Sequence, residues 1–203
     1  SGGMNIVGDG EVKGKAMVGL TSIIENDGLY VGSGFQGIEV YDTKTITLDN
    51  TGATKDSFTA RLTGLGGFSF NVQDGTVVNI GNNNSDYSGE TTIKGGGTFN
   101  ALSANTFGNT SVLNVAGTTL STDHVLDVDD VVIDSGSILS GNGGVTGHVV
   151  LNGKITPNGN AIGEFNVGSI AFGAGSVYEV NANEGGTADL LDITNNASLT
   201  GGR

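Results

Sequence analysis

Cysteine and tryptophan are absent from this chain of 203 residues, and proline occurs once. Without cysteine there is no disulfide framework, no thiolate zinc site and no thiol nucleophile. With no Gly-X-Y period and almost no proline, a collagen is excluded. No apolar run approaches the ~18 residues that a membrane-spanning helix needs, so no membrane insertion is expected. Cations are scarce as well: 8 Lys and Arg stand against 21 Asp and Glu, a formal net charge of −13. That balance argues against nucleic acid and anionic lipid, which are held by Lys and Arg that meet phosphates and release counterions. Charged residues in total reach only 14%, while 36% of the chain is hydrophobic. A disordered acidic chain has more of the first and less of the second.

Glycine fills the space: 37 of 203 residues, roughly 18% against about 7% on average. Most of the rest is Thr, Asn, Ser and Asp with Val, Ile and Leu between them. Gly costs about 1 kcal/mol per helical position relative to Ala, and Asn, Ser and Thr prefer caps and turns. The composition therefore predicts an all-β chain of short strands joined by tight turns. Its length suits one domain or one repeat stack.

From about Phe68 onward the chain repeats a unit of short apolar run, Gly-bearing turn and second short apolar run. Phe70–Val72 leads through Asp74-Gly75 to Thr76–Val78, and Thr91–Ile93 leads through Gly95–Gly97 to Thr98-Phe99. Val112–Val115 leads through Gly117 to Thr118–Leu120. Val131–Ile133 leads through Asp134–Gly136 to Ser137–Leu139, and Val149–Leu151 leads through Asn152-Gly153 to Lys154-Ile155. The turn glycines are Gly75, Gly96, Gly117, Gly136 and Gly153. Their step of roughly 20 residues, with such short strands between, predicts a solenoid rather than a meander. The expected fold is a parallel β-helix of roughly ten coils, three short strands per coil, stacked at about 4.8 Å into a rod on the order of 48 Å long.

Residues 1–66 are less regular and read as N-terminal β-helix coils with longer loops. Residues 67–203 read as the regular stem of the same single solenoid domain. In the first part, Ala16–Ile24 is apolar, and Leu29–Val31, Ile38–Tyr41, Thr45–Leu48 and Ser57–Thr63 have strand character. The chain opens on Ser1-Gly2-Gly3 without a signal peptide and stops at Gly201-Gly202-Arg203 directly after a repeat. It therefore reads as a fragment of a longer protein.

Five segments carry a resemblance. Tyr87-Ser88-Gly89-Glu90-Thr91-Thr92-Ile93 resembles a Y-[ST]-G-x-T-x-I element. Leu139–Gly143 with Val145–Gly147 resembles L-x-G-x-G-x-V-x-G. Ile155–Gly163 is similar to an I-x-P-G-N-S-I-G loop, with a displaced Asn-Gly and Ala161 in place of Ser. Ser176–Val180 follows in place. Asp189–Ile193 with Ala197–Leu199 resembles the stem D-x-L-x-V-x-G-x-A-x-L, with Asn195 and Asn196 where one Gly is usual. These elements, in this order from Tyr87 to Leu199, resemble the C-terminal passenger region of bacterial autotransporters, a type V secretion family. The resemblance implies a right-handed β-helix. It also implies export through periplasm and outer membrane to the surface or medium of a Gram-negative bacterium, and a C-terminal translocator barrel in the parent chain. The missing cysteine fits, because an oxidising periplasm would otherwise form disulfides that hinder threading. Residues before about 80 carry no specific match.

The chemical motifs are weaker. Gly32-Ser33-Gly34-Phe35-Gln36-Gly37 is a literal G-x-G-x-x-G, but a dinucleotide site needs a helix after it, and Ile38–Tyr41 alternates as a strand. It reads as a turn. His124, in a turn after Asp123, and His148, at a strand start, are the only histidines. A Ser-His-Asp triad needs one of them beside a carboxylate and a serine, and there is no G-x-S-x-G elbow. Asp127, Asp129, Asp130 and Asp134 form the densest acidic cluster. They fit neither an EF-hand nor a calcium β-roll; Asp127 and Asp129 are expected on one outward strand face. No carboxylate pair stands out for glycosidase work. Asn82–Asp86 reads as a corner loop, and Tyr30, Phe35 and Tyr41 as core or capping aromatics.

No catalytic, cofactor or metal residue is assigned, and the partner-binding residues are undetermined. The expected function is that of a non-catalytic, secreted or surface-displayed virulence passenger, an adhesin that binds a host cell-surface protein or glycan. The alternatives are a released host-receptor agonist that promotes growth or vessel formation, a glycan-active or esterase-type enzyme, and a purely structural stem.

Overall fold

The computed structural model describes residues 62–81 and 85–201. Upstream it describes the backbone of five strands, Gly14–Val18, Ser22–Asn26, Phe35–Val40, Thr45–Asn50 and Lys55–Phe58. Among the described residues there is no helix, and every pairing between these strands is parallel. The first sheet runs Ser22–Asn26, Thr45–Asn50, Gly67–Val72, Thr91–Lys94, Val112–Ala116, Asp130–Ile133, Gly144–Leu151, Glu164–Phe172 and Leu190–Ile193. Ala197–Leu199 also pairs with Glu164–Phe172. The second sheet runs Lys55–Phe58, Val77–Ile80, Thr98–Ala101, Thr119–Thr122, Ile138–Gly141, Lys154–Pro157 and Val177–Tyr178. Gly14–Val18, Phe35–Val40 and Leu62–Gly64 form a third, short sheet. The chain is an all-β parallel solenoid, as its composition and repeat step require.

The coil arithmetic differs from the expectation. Thr91, itself paired with Phe68 of the coil before, pairs with Leu113, and from Thr91 on the column continues through Val131, Val149 and Ile170 to Ala197, five turns of unequal length over this stretch. Ten coils of three strands are not what the described residues show. The coil from Thr91 has two strands, Thr91–Lys94 and Thr98–Ala101, and closes through turns at 104–109. Those turns bury Phe107, 1% exposed, against Phe99 of the same coil. In the next coil a third strand, Val125–Leu126, does form and pairs with Gly144-Val145.

The strands form where apolar and polar residues alternate. In Val112–Ala116, Leu113 and Val115 are fully buried and the other residues are half-buried. Register then turns alternation into columns. Val78, Phe99, Leu120, Leu139 and Ile155 are Cα partners in successive coils, and all are buried. Each such side chain contributes roughly 1.5–3 kcal/mol of burial.

The turn glycines have two different causes. Gly136 is left-handed, with φ 85°, and Gly75, Gly96 and Gly117 also have positive φ. Gly153 does not. Its corner is shorter, and a Cβ there would lie 2.3 Å from the Ser137 carbonyl oxygen. The glycine requirement at 153 is close backbone approach, not φ.

Where Tyr87 enters, the core is aromatic. Tyr87 meets Phe68 edge-on at 4.7 Å between ring centres, and Phe70 meets Phe99 likewise at 5.0 Å. Phe99 stacks on Phe107 at 5.4 Å. Tyr87 is fully buried, and its hydroxyl shares a 2.6 Å hydrogen bond with Thr91 Oγ1. Thr91 donates to Thr110 Oγ1 at 3.1 Å, and Thr110 donates to the Gly89 carbonyl at 2.6 Å. The relay satisfies every buried hydroxyl in it. It also gives a physical reason for Tyr, Gly and Thr at this spacing: a Cβ on Gly89 would lie 2.2 Å from the Gly66 backbone.

Burial holds the Tyr87 phenol far above its ordinary value of 10.0, and the Thr91 hydrogen bond offsets only part of that. A raised folded-state value contributes stability that is fully present below the unfolded value and lost as pH rises through it toward the folded one. Above about pH 10 this group alone should lower stability by about 1.4 kcal/mol per pH unit. Urea midpoints of the wild type and Tyr87→Phe, compared at about pH 9 and about pH 11, should show a steeper alkaline loss in the wild type. Equal slopes would contradict a buried, protonated phenol.

Candidate functional site

The register brings together one set of groups that their spacing in the sequence does not reveal. On the outer face of the first sheet Asp130, His148 and Ser169 are successive Cα partners, stacked at the ~4.8 Å strand spacing. His148 is outward and half-buried, as expected, but it lies inside the strand Gly144–Leu151 rather than at a strand start. Its backbone N–H donates to the Asp129 carbonyl at 2.7 Å. No side-chain hydrogen bond joins Asp130, His148 and Ser169 among the described residues. A triad requires both bonds and oxyanion donors beside the serine. This column has the residue types without those contacts.

His124 lies in an exposed bend and lines a shallow cleft of about 220 Å³ with Asp123, Ser121, Asn100 and exposed Leu102. Asp123 is engaged, accepting from the Asn142 backbone N–H at 3.0 Å. Asp127 and Asp129 do point outward with Val128 buried between them. They precede Asp130–Ile133 in a corner, however, rather than lying within a strand. Thr146 Oγ1 donates to Asp127 at 3.2 Å, and the Asp134 carbonyl closes the next corner by accepting from the Ser137 N–H. Among the described residues no three His, Asp or Glu gather as a metal-holding group. The G-x-G-x-x-G run continues into the strand Phe35–Val40, not a helix. Tyr30, Tyr41, the side chain of Phe35 and Asn82–Asn84 lie outside the described residues.

The loop from Pro157 to Gly163 is held by a carboxylate. Asp189, 8% exposed, accepts from the Gly163 N–H at 2.8 Å, the Asn181 N–H at 2.7 Å and Asn181 Nδ2 at 3.0 Å. Asn181 Nδ2 also donates to the Gly159 carbonyl at 2.8 Å. Asn158, the one non-glycine with positive φ among the described residues, at 52°, donates through Nδ2 to the Ile162 carbonyl. Burial first, and the Asp189 charge second, raise the Tyr178 phenol above its ordinary range. This staple makes the loop a fixed wall. The sequence pattern flagged Asp189 and the loop as separate segments; only the fold joins them.

That wall bounds two adjoining hollows. On the outer face of the second sheet one hollow of about 290 Å³ lies against Gly136, Gly153 and Gly175. A second of about 220 Å³ lies against Thr119, Ser140, Gly159 and Asn160. Both are lined by Ile138 and Lys154. Lys154 Nζ donates to Glu179 Oε2 at 2.6 Å, and both side chains stay solvent-accessible, 35% and 48% exposed. A pair this exposed contributes about 0–1 kcal/mol to stability. The sequence placed both residues in strand-like segments and marked neither as a site. The signal for the pair is the parallel register, which sets Lys154 beside Val177, just ahead of Glu179.

No helix among the described residues is long and apolar enough to cross a membrane. No family model matches the chain, and no solved structure matches it. The chain is similar to the uncharacterized protein YuaQ of Escherichia coli (strain K12), 34% identical over 168 residues, which is 76% of this chain. It spans 12% of the length of that relative.

Proposed function

We propose that this chain is a segment of a bacterial autotransporter passenger, exported to the cell surface or medium, that binds host cells or a host receptor through side chains on its solenoid faces. The observation that carries the reading is the continuity of the stack. From Tyr87 to Leu199 the five segments that resemble autotransporter elements follow one another in a single parallel solenoid. Their inward positions fill its core, as with Ile93, Leu139, Val145 and Ile155. Similarity to a protein of Escherichia coli agrees with a Gram-negative source. The winding is right-handed, the hand that parallel crossovers take in nearly all cases. The longer parent supplies further coils and the translocator barrel. Binding rather than chemistry is the better use of faces whose hollows are shallow and whose Asp130, His148 and Ser169 are not linked.

A structural stem is the second reading, favoured by the same observation, since the resembling segments hold the fold. The two separate cleanly. Fluorescently labelled protein should bind cultured host cells saturably, with receptor phosphorylation marking an agonist and its absence an adhesin. No binding up to about 10 µM, a free energy weaker than about −7 kcal/mol, would leave the stem.

A further inference from the structure

Where the two hollows on the second sheet meet, polar groups converge with capacity left over. Ser140 lines the second hollow and is 9% exposed. Its hydroxyl has no hydrogen-bond partner among the described residues, whereas buried hydroxyls are nearly always matched. Lys154 commits one of its three N–H donors to Glu179. Asn160 stands exposed on the loop wall, and Ile138 and Val177 supply a small apolar floor.

We propose that this trough is a binding site for an uncharged oligosaccharide. The inference deepens the host-binding reading and rests on it for the source of the sugar. An ammonium and a carboxylate side by side offer a donor and an acceptor to neighbouring sugar hydroxyls. Ser140 offers both in one group, and Ile138 with Val177 receives the apolar face of a ring. Each hollow is smaller than the roughly 300–1,000 Å³ of a typical small-molecule pocket. Two small hollows in a row suit linked units of a chain molecule. An anionic glycan is disfavoured, because Glu179 already neutralises Lys154 and the chain carries −13. An extended peptide is disfavoured because the trough lies on a sheet face, where the backbone groups already pair in parallel ladders; strand addition needs a free edge.

The test is a titration of isotope-labelled full chain, read by amide chemical shifts. Lacto-N-neotetraose, maltotetraose and chitotetraose are the neutral probes, and heparin tetrasaccharide is the charged control. At least one neutral probe should give saturable shifts centred on Ser140, Lys154, Asn160 and Glu179. Lys154→Gln and Ser140→Ala should each weaken it about tenfold with an unchanged spectrum elsewhere. Four results overturn the site: no saturation by any neutral probe up to about 10 mM, shifts centred elsewhere, preference for heparin, or variants with wild-type affinity. Cell binding distinguishes the two readings. Saturable cell binding without neutral-sugar shifts removes the sugar site and leaves host binding. Shifts without cell binding keep the site and remove its host role.

Discussion

Gly141→Ala is expected to destabilise the solenoid by at least about 3 kcal/mol, while Gly75→Ala costs only about 1–2 kcal/mol. Both glycines have positive φ, 113° and 75°, and by sequence both are simply turn or strand-end glycines. What separates them is the neighbouring coil. A Cβ on Gly75 meets nothing within 4 Å, so an alanine there bears only the left-handed backbone cost. A Cβ on Gly141 would sit 1.9 Å from the carbonyl oxygen of Thr122, and φ 113° lies beyond the region that L-residues visit. Thr122 cannot retreat easily. It is 2% exposed, and its hydroxyl donates to the His124 carbonyl while accepting from the His124 N–H. Relieving the clash means parting two stacked coils. Urea unfolding of the two variants measures the difference; similar midpoints would show that the corner deforms freely.

Phe99→Ala is expected to cost about 3–5 kcal/mol, and to do so locally. Phe99 is fully buried and touches Phe70 from the coil before and Phe107 from its own coil. Its removal therefore opens a cavity inside the aromatic cluster that joins two coils. In a solenoid each coil contacts only its neighbours, so stability is close to a sum of coil and interface contributions. Hydrogen exchange should show lost protection in Val77–Ile80, Thr98–Ala101 and Thr119–Thr122, with Gly144–Leu151 and Glu164–Phe172 nearly unchanged. Uniform loss across all of these strands would mean that the described stack unfolds as one cooperative unit. Phe99→Leu, which refills most of the cavity, should recover more than half of the stability.

The division between sequence and tertiary structure is sharp here because the solenoid repeats locally but functions across coils. Alternation, the regular glycine step and the shortage of helix formers were enough for an all-β parallel solenoid. They also placed both strands of every repeat named from Phe70 to Ile155 close to their observed positions, because alternation and a turn glycine are signals local to the chain. The same reasoning overcounted coils and strands. Composition cannot tell a third strand from a turn that drops Phe107 into the core, nor a left-handed Gly136 from a Gly153 pressed against Ser137. Three relations waited on register, which is set by the packing of one coil on the next. Asp130, His148 and Ser169 come from three successive coils and stand in one column. Asp189 holds the N–H of Gly163 from the following coil. Lys154 meets Glu179 across one full turn, over a trough. Turns of unequal length make those meetings unreadable from spacing. A one-residue slip of register would turn every inward side chain outward, so each corner must absorb its own length, and it is that absorption that sets which outward residues meet.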